Sequence, residues 1–291
     1  MIPPRDIAVA AAAYPVEALP DLDALEAKLD HWVASANADL LVFPEYAGME
    51  VALAGAPRGL SVAAWCHHAA DLAATYWDML AGLARRHTCH ILTGSLPAHG
   101  PDGALRNRAQ LVAPSGRMAA QDKRILTPWE RRETLLTPAD ATAVFDTDLG
   151  RIGVLICYDA EFPLAARGLE ADLLLVPACT DLPAGDGRVR VGARARALEQ
   201  QAVVLHAPLL GAMPDCPLID TNRGRAGIFC PCDTGFPDDG ILANGAPDSA
   251  GWVRTSLSKG LISEARIAAA VDVPGHWAET TALPAPIRRR I

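Results

Sequence analysis

Apolar residues in this chain fall either into short unbroken runs or into longer stretches with one apolar position per helical turn. Asp6 to Ala13, Asp39 to Phe43 and His90 to Gly94 are of the first kind, too short for helices, and they predict strands. Between them, Leu22, Leu25, Leu29, Trp32 and Val33 share one helical face over Asp21 to Asn37, and Leu72 to His87 predicts a second long helix. The resulting order, β-α-β-α-β, implies helices packed on a sheet and therefore an α/β fold.

The pattern continues with strands at Leu105 to Ala113 and Arg117 to Lys123 around Pro114-Ser115-Gly116, and at Ala143 to Asp146 and Arg151 to Cys157 around TDLG. A helix opening at Pro163, a buried strand at Asp172 to Pro177, a helix at Arg188 to Gln201 and a strand at Ala202 to Ala207 follow. From Pro208 to Ser258 glycine, proline and aspartate dominate, and strands are expected only at Ala226 to Phe229 and Gly251 to Arg254, with a last one at Arg266 to Val271. No repeat of short period and no linker interrupts the chain, so a single domain over residues 1–291 is expected, loop-rich from about residue 208.

One stretch stands out, Arg151 to Pro163, RIGVLICYDAEFP. Five of the six residues from Ile152 to Cys157 are apolar and the sixth is glycine, which predicts a strand buried on both faces and closed by Cys157. Tyr158, Asp159 and Glu161 then break the run, and Pro163 suits the first turn of a helix. A thiol at such a strand-to-helix turn stands near backbone N–H groups and the positive end of a helix, which favours thiolate. The competing reading is a space-filling cysteine, since free cysteines are among the most buried residues.

Composition narrows the partners. The net charge is -8, against the concentrated basic surface that nucleic acid requires, and the basic cluster Arg288 to Arg290 reads as a solvated end. No apolar run approaches the ~18 residues that span a bilayer. Asp6, Pro3 and Pro4 around the first apolar patch argue against a signal peptide. Seven cysteines without regular spacing argue against a disulfide framework and for a reducing, cytoplasmic setting.

Three polar residues end three of the predicted strands: Glu45 after LVFP, Lys123 after AAQD and Cys157 after GVLI. Ligand sites in helix-flanked sheets lie at the carboxyl ends of strands, so the three are able to converge on one crevice. At these residues the chain resembles the nitrilase superfamily of carbon–nitrogen hydrolases. FPEYAG (43–48) resembles the segment of the family's general base, QDKRILTPWE (121–130) that of its lysine, and GVLICYDAEFP (153–163) that of its nucleophile. Weaker similarity runs on through LLLVPACTD and GARARALEQQAVVLHAP.

The resemblance implies a four-layer α-β-β-α sandwich that dimerises, or forms a larger even assembly, by stacking helices. It implies a Glu45–Lys123–Cys157 triad, with Tyr158 offering a backbone N–H to the oxyanion and Glu130 as a second glutamate that positions substrate and Lys123. Glu133 competes with Glu130 for that role. The expected substrate is a small non-peptide amide, favoured over a nitrile because Tyr158-Asp159, and not Trp-Glu, follows the cysteine. A non-catalytic binding protein on the same fold is the alternative from another class.

Other constellations carry less. His206, at the end of AVVLHA, is the histidine best placed for a Cys–His mechanism and reads more readily as a hydrogen-bonded core residue. Cys216, Cys230 and Cys232 with His206 lack the spacer of structural zinc sites, and Gly185-Asp186-Gly187 with Gly192 follows no strand as a dinucleotide fingerprint would. No cofactor and no metal are expected. Arg194, Arg196, Arg223 and Arg225 read as structural, paired with Glu199 or Asp181, with a substrate carboxylate as the other reading for one of them.

Overall fold

A computed structural model describes residues 6–55, 59–258 and 260–281; Pro3, Pro4 and Arg288 to Arg290 lie outside the described residues. In chain order the elements are β1 (Ile7–Pro15), α1 (Leu22–Ala36), β2 (Leu40–Val42), α2 (Glu50–Leu53), α3 (Val62–His87), β3 (His90–His99), β4 (Leu105–Val112) and β5 (Met118–Asp122). There follow α4 (Pro128–Glu133), β6 (Val144–Thr147), β7 (Gly150–Val154), α5 (Pro163–Ala166), β8 (Leu173–Ala178), α6 (Pro183–Gln200), β9 (Val203–Leu210), β10 (Gly227–Phe229), β11 (Ile241–Asn244), β12 (Gly251–Leu257), α7 (Leu261–Ala268) and α8 (Trp277–Thr281).

The strands follow one path, β5-β4-β3-β2-β1-β9-β8-β7-β6, which forks at β1. Along Ile7 to Ala13 one edge of β1 pairs antiparallel with β12, and only at Tyr14 and Pro15 does β9 take over as a parallel neighbour. The two halves therefore face one another. The sequence IAVAAAAYP shows this by its two-residue period: Val9, Ala11 and Ala13 enter the core shared with Ile152, Val154 and Leu173 of the second half. Ala10, Ala12 and Tyr14 point the other way, onto Leu25 and Leu29 of α1 and Tyr76 and Leu80 of α3. On the outer face of the second half, Val189, Ala193 and Ala197 of α6 close the stack. The result is an α/β fold with four layers, α-β-β-α.

Several boundaries depart from the sequence pattern. Helix α3 begins at Val62, ten residues before the expected Leu72, because Trp65, Cys66, Ala69 and Ala73 extend its buried face behind a Ser61 cap that accepts the Ala64 N–H. Strand β11 lies in the stretch expected to be loop and pairs with β10. No strand forms at Arg266 to Val271: Arg266 to Ala268 are the end of helix α7 and the rest is irregular, Ile267 is 88% exposed, and the Arg266 guanidinium reaches back to Asp172 at 2.9 Å and to the Ala171 carbonyl. Short apolar runs do not separate helix from strand by period alone.

Strand β7 stops at Val154, so Cys157 does not close it. Leu155 still donates its N–H to Leu175, after which the backbone turns into a 3-10 turn, Cys157–Glu161, and Cys157 takes φ 50 in the left-handed region. Helix α6 packs directly on this turn. A Cβ at Gly192 would lie 2.6 Å from the Ala160 carbonyl oxygen, so only glycine permits the approach.

Candidate active site

Strands β2, β7 and β8 run parallel, and β5, antiparallel to β4, which is itself antiparallel to β3, points the same way. Their carboxyl ends meet at a cavity of about 490 Å³ whose lining includes Glu45, Lys123, Glu130, Cys157, Tyr158 and Cys179. The cavity thus brings together all five residues singled out from the sequence as site candidates. Glu133, 49% exposed beside Arg132, is not among its lining residues.

Glu45 sits in a turn that β3 approaches closely. Gly94 has φ +72, and a Cβ there would stand 2.2 Å from the Pro44 carbonyl oxygen. Ser95 accepts the Tyr46 N–H at 3.1 Å and fixes the same turn. Within the cavity, Glu45 Oε1 accepts from Lys123 Nζ at 2.8 Å and Asn107 Nδ2 at 2.9 Å, and Oε2 accepts the Cys179 N–H at 3.0 Å. The Cys157 thiol lines the same cavity, where the Glu45 charge acts on it, and donates to the Cys179 carbonyl at 3.6 Å.

Glu130 is placed by the start of α4. Thr127 and Glu130 form a reciprocal cap, each side chain accepting the other's backbone N–H, with Pro128 in the first turn. The Glu130 carboxylate then takes Lys123 Nζ on both oxygens, at 2.9 and 2.8 Å, and the Tyr46 hydroxyl at 2.8 Å. Lys123 Nζ therefore contacts three carboxylate oxygens and is 1% exposed.

These contacts set the protonation states. Burial pulls the Lys123 ammonium toward neutrality, but Glu130 and Glu45 outweigh it and hold the group charged well above the ordinary lysine range. Burial pushes Glu45 up, and the neighbouring Glu130 charge adds to that push against the pull of Lys123; its pKa ends above the carboxylate norm. Glu130, equally subject to burial, ends below it because Lys123, the Thr127 N–H and the Tyr46 hydroxyl all stabilise its charge.

Cys157 runs against the thiolate expectation. Burial, and then the Glu45 charge, push its thiol well above the ordinary range, and Lys123 only partly offsets them. The five-residue 3-10 turn at Cys157 gives no helix end strong enough to compensate. The group beside Glu45 is therefore held as a thiol.

Four contributors were not singled out from sequence. Asn107 and Tyr46 hold Glu45 and Glu130, and Cys179 bridges Glu45 to Cys157 through its backbone. Buried Asp159 accepts the N–H groups of Ile125 at 2.8 Å, Arg124 at 3.3 Å and Ile156 at 3.1 Å, and so ties the cysteine turn to the segment after Lys123. Asn107 had a visible signal: in LRNRAQLV it occupies an inward position between Leu105 and Ala109, and a buried amide demands polar partners.

The remaining candidates lie elsewhere. His206 contacts Asp186 at 3.2 Å and does not line the cavity. Cys216 belongs to the helix-side core, Cys230 to the core between the sheets, and Cys232 is exposed. Arg196 pairs with Glu199 at 2.9 Å and donates to the Ala160 carbonyl, while Arg194, Arg223 and Arg225 line a different cavity. Arg132 and Arg188 are the arginines at the candidate site.

The four-layer α-β-β-α sandwich is the fold of the nitrilase superfamily, and here a buried cysteine, two glutamates and a lysine stand where strand ends of the two sheets meet. Within that superfamily, the chain belongs to the carbon–nitrogen hydrolase family, whose sequence profile matches residues 7–222. It is 32% identical over 219 residues to the probable hydrolase YhcX of Bacillus subtilis, covering 74% of this chain and 42% of that protein. It is 30% identical over 144 residues to the deaminated glutathione amidase of Yersinia enterocolitica, covering 44% of this chain and 50% of that one. The chain thus spans about half the length, or less, of these curated relatives. Among solved structures, a mutant of the amidase from Nesterenkonia sp. AN1, with covalent addition of the acetamide moiety of fluoroacetamide at its active-site cysteine, superposes with a TM-score of 0.66 at 20% identity. That likeness covers 94% of this chain and 95% of the amidase and is one of fold. Among the described residues, no helix is long and apolar enough to cross a membrane.

Proposed function

We propose that the protein is an amidase, a thiol-dependent hydrolase that cleaves the C–N bond of a small non-peptide amide. The observation that carries this reading is the placement of the Cys157 thiol against Glu45, a carboxylate whose pKa is raised, while Lys123 beside them stays charged. Glu45 takes the thiol proton as Cys157 Sγ attacks the amide carbon, and the carbonyl oxygen becomes an oxyanion. The Lys123 charge and the Tyr158 backbone N–H stabilise that oxyanion. Glu45 returns the proton to the nitrogen, the C–N bond breaks, and ammonia or an amine leaves a thioester on Cys157. Water then loses a proton to Glu45 as it attacks the thioester, and the second tetrahedral intermediate expels Cys157. The proton passes back to sulfur, and the acid is released.

Lys123 already contacts three carboxylate oxygens. Turning a donor toward the oxyanion therefore means loosening one contact to Glu130, and until then the lysine acts through its charge. Glu130, held ionised, is the counter-ion that makes this exchange possible. The cavity also carries Arg132 and Arg188 beside Glu161, Asp181 and Asp220, a lining suited to a polar substrate. The amidase names of relatives agree with the choice of amides.

Ammonia release from a panel of small amides, carbamoyl compounds and nitriles tests the proposal. Turnover is expected with amides and should exceed that of the matching nitriles. Faster nitrile turnover would replace amidase by nitrilase, and no turnover of any class would favour a binding protein.

A further inference from the structure

A second cavity, of about 450 Å³, opens on a different face of α6. Gly185, Arg188 and Val189 of this helix face the candidate active site, whereas Asp186, Arg190, Val191 and Arg194 line the second cavity. Arg223 and Arg225 complete it, so four guanidinium groups surround a space of the size that holds a small molecule.

Arg223 is ion-paired with Asp248, but the partners of the other three do not neutralise them. Arg190, 6% exposed, donates to the Arg225 carbonyl at 2.5 Å and to Asn244 Oδ1 at 2.7 Å and lies over the Phe229 ring, all uncharged groups. Arg194 donates to the Asp239 backbone carbonyl at 2.8 Å. Among the described residues, no ion pair joins Arg190, Arg194 or Arg225 to a carboxylate. The two carboxylates in the cavity have partners of their own: Asp186 meets His206 and the Arg225 N–H, and Asp248 meets Arg223 and the Gly224 N–H. Burial, reinforced by the like charges of Arg225 and Arg194 and only partly offset by the Asp186 charge, pulls Arg190 down to about 10, and a further negative charge in the cavity would relieve this.

We infer that this cavity binds a phosphate dianion, free or carried by a small organic molecule, through Arg190, Arg194 and Arg225. Planar guanidinium forks match phosphate oxygens in pairs, and three positive charges less the one negative charge of Asp186 still exceed what a single ligand carboxylate would balance. Pro183, Val191 and Ile241 give the same cavity an apolar wall for the carbon part of an organic phosphate. Because α6 also borders the candidate active site, an occupied cavity would brace the helix that packs on the Cys157 turn.

Isothermal titration of the full chain with inorganic phosphate and with ribose 5-phosphate, in chloride buffer, tests the assignment. Saturable binding is expected, weakened at least about tenfold by Arg194→Gln with Arg225→Gln, in keeping with the loss of charge-assisted hydrogen bonds. Arg194→Glu, on an exposed position, should weaken it too with an unchanged melting temperature. Arg188→Gln, on the candidate active-site face, should leave the affinity as it is. Tighter binding of ribose 5-phosphate would identify an organic phosphate as the ligand, and equal binding the free ion. No saturable binding of either, unchanged affinity in the Arg194 and Arg225 variants, or loss only in Arg188→Gln would overturn the inference.

Discussion

Glu45 and Glu130 share one ammonium, yet their surroundings drive them apart. Glu130 accepts from Lys123 on both oxygens, from Tyr46 and from the Thr127 N–H, and keeps its charge. Glu45 has the weaker compensation and a raised pKa, which suits it to carry a proton between sulfur, nitrogen and water. The proposed mechanism needs Glu45 ionised at the start. Turnover should therefore fall as pH drops through its raised pKa, with the acid limb of kcat/KM above the ordinary glutamate value of 4.5. A limb at or below that value would contradict the assignment. Glu45→Gln removes the proton carrier and should lower kcat by at least about 10²-fold, measured against amide substrate. At this scale the residue types were legible in the sequence and their charge states were not. The thiolate expected at Cys157 failed because burial and the Glu45 charge depend on chain segments that meet only in the fold.

At the scale of elements, the site depends on how the Cys157 turn is held. Asp159 takes three backbone N–H groups from two segments, and Arg196 of α6 donates to the Ala160 carbonyl at 2.9 Å. Asp159→Ala strands those donors and should cost roughly 2–4 kcal/mol of stability. Chemical unfolding measures that loss, and an unchanged midpoint would show that the tie is not needed. Gly192→Ala drives a methyl group toward the Ala160 carbonyl; a fall in kcat together with a lower melting temperature is expected, and wild-type values of both would contradict the packing described. Most strands were legible because a two-residue alternation or a short apolar run leaves a direct trace in sequence. The first turns of α3 were not, since alanine and histidine carry little periodic contrast. Strand β11 was not, because its ILAN is short and only partly buried. The stretch expected as a strand at Arg266 to Val271 instead closes α7 at Ala268 and continues irregularly, with its apolar run on the surface and Arg266 as its anchor.

On the whole molecule, the fork at β1 sets two sheets face to face and brings the ends of β2, β5, β7 and β8 to one crevice. Strand-end residues far apart in sequence become neighbours there, which is why three short motifs could point to a site before any contact was known. The second sheet's outer layer leaves Leu164 71% and Leu198 44% exposed. We propose that a second copy of the chain covers them, with helices of the two copies stacking. Light scattering at micromolar concentration should report a dimer or larger even assembly, with Leu164→Glu and Leu198→Glu shifting it toward monomer; a monomeric wild type would contradict this. The central claim, that Cys157 is the nucleophile, is tested most directly by treating the protein with iodoacetamide and locating the adduct by peptide-mapping mass spectrometry, as Cys157 Sγ displaces iodide and its proton passes to Glu45. One carbamidomethyl group is expected on Cys157 first among the seven cysteines, forming in step with loss of activity and slowed by Glu45→Gln, with exposed Cys232 labelled only later. Inactivation with the label on Cys179 or Cys232 instead, or full amide turnover by Cys157→Ala, would contradict that claim.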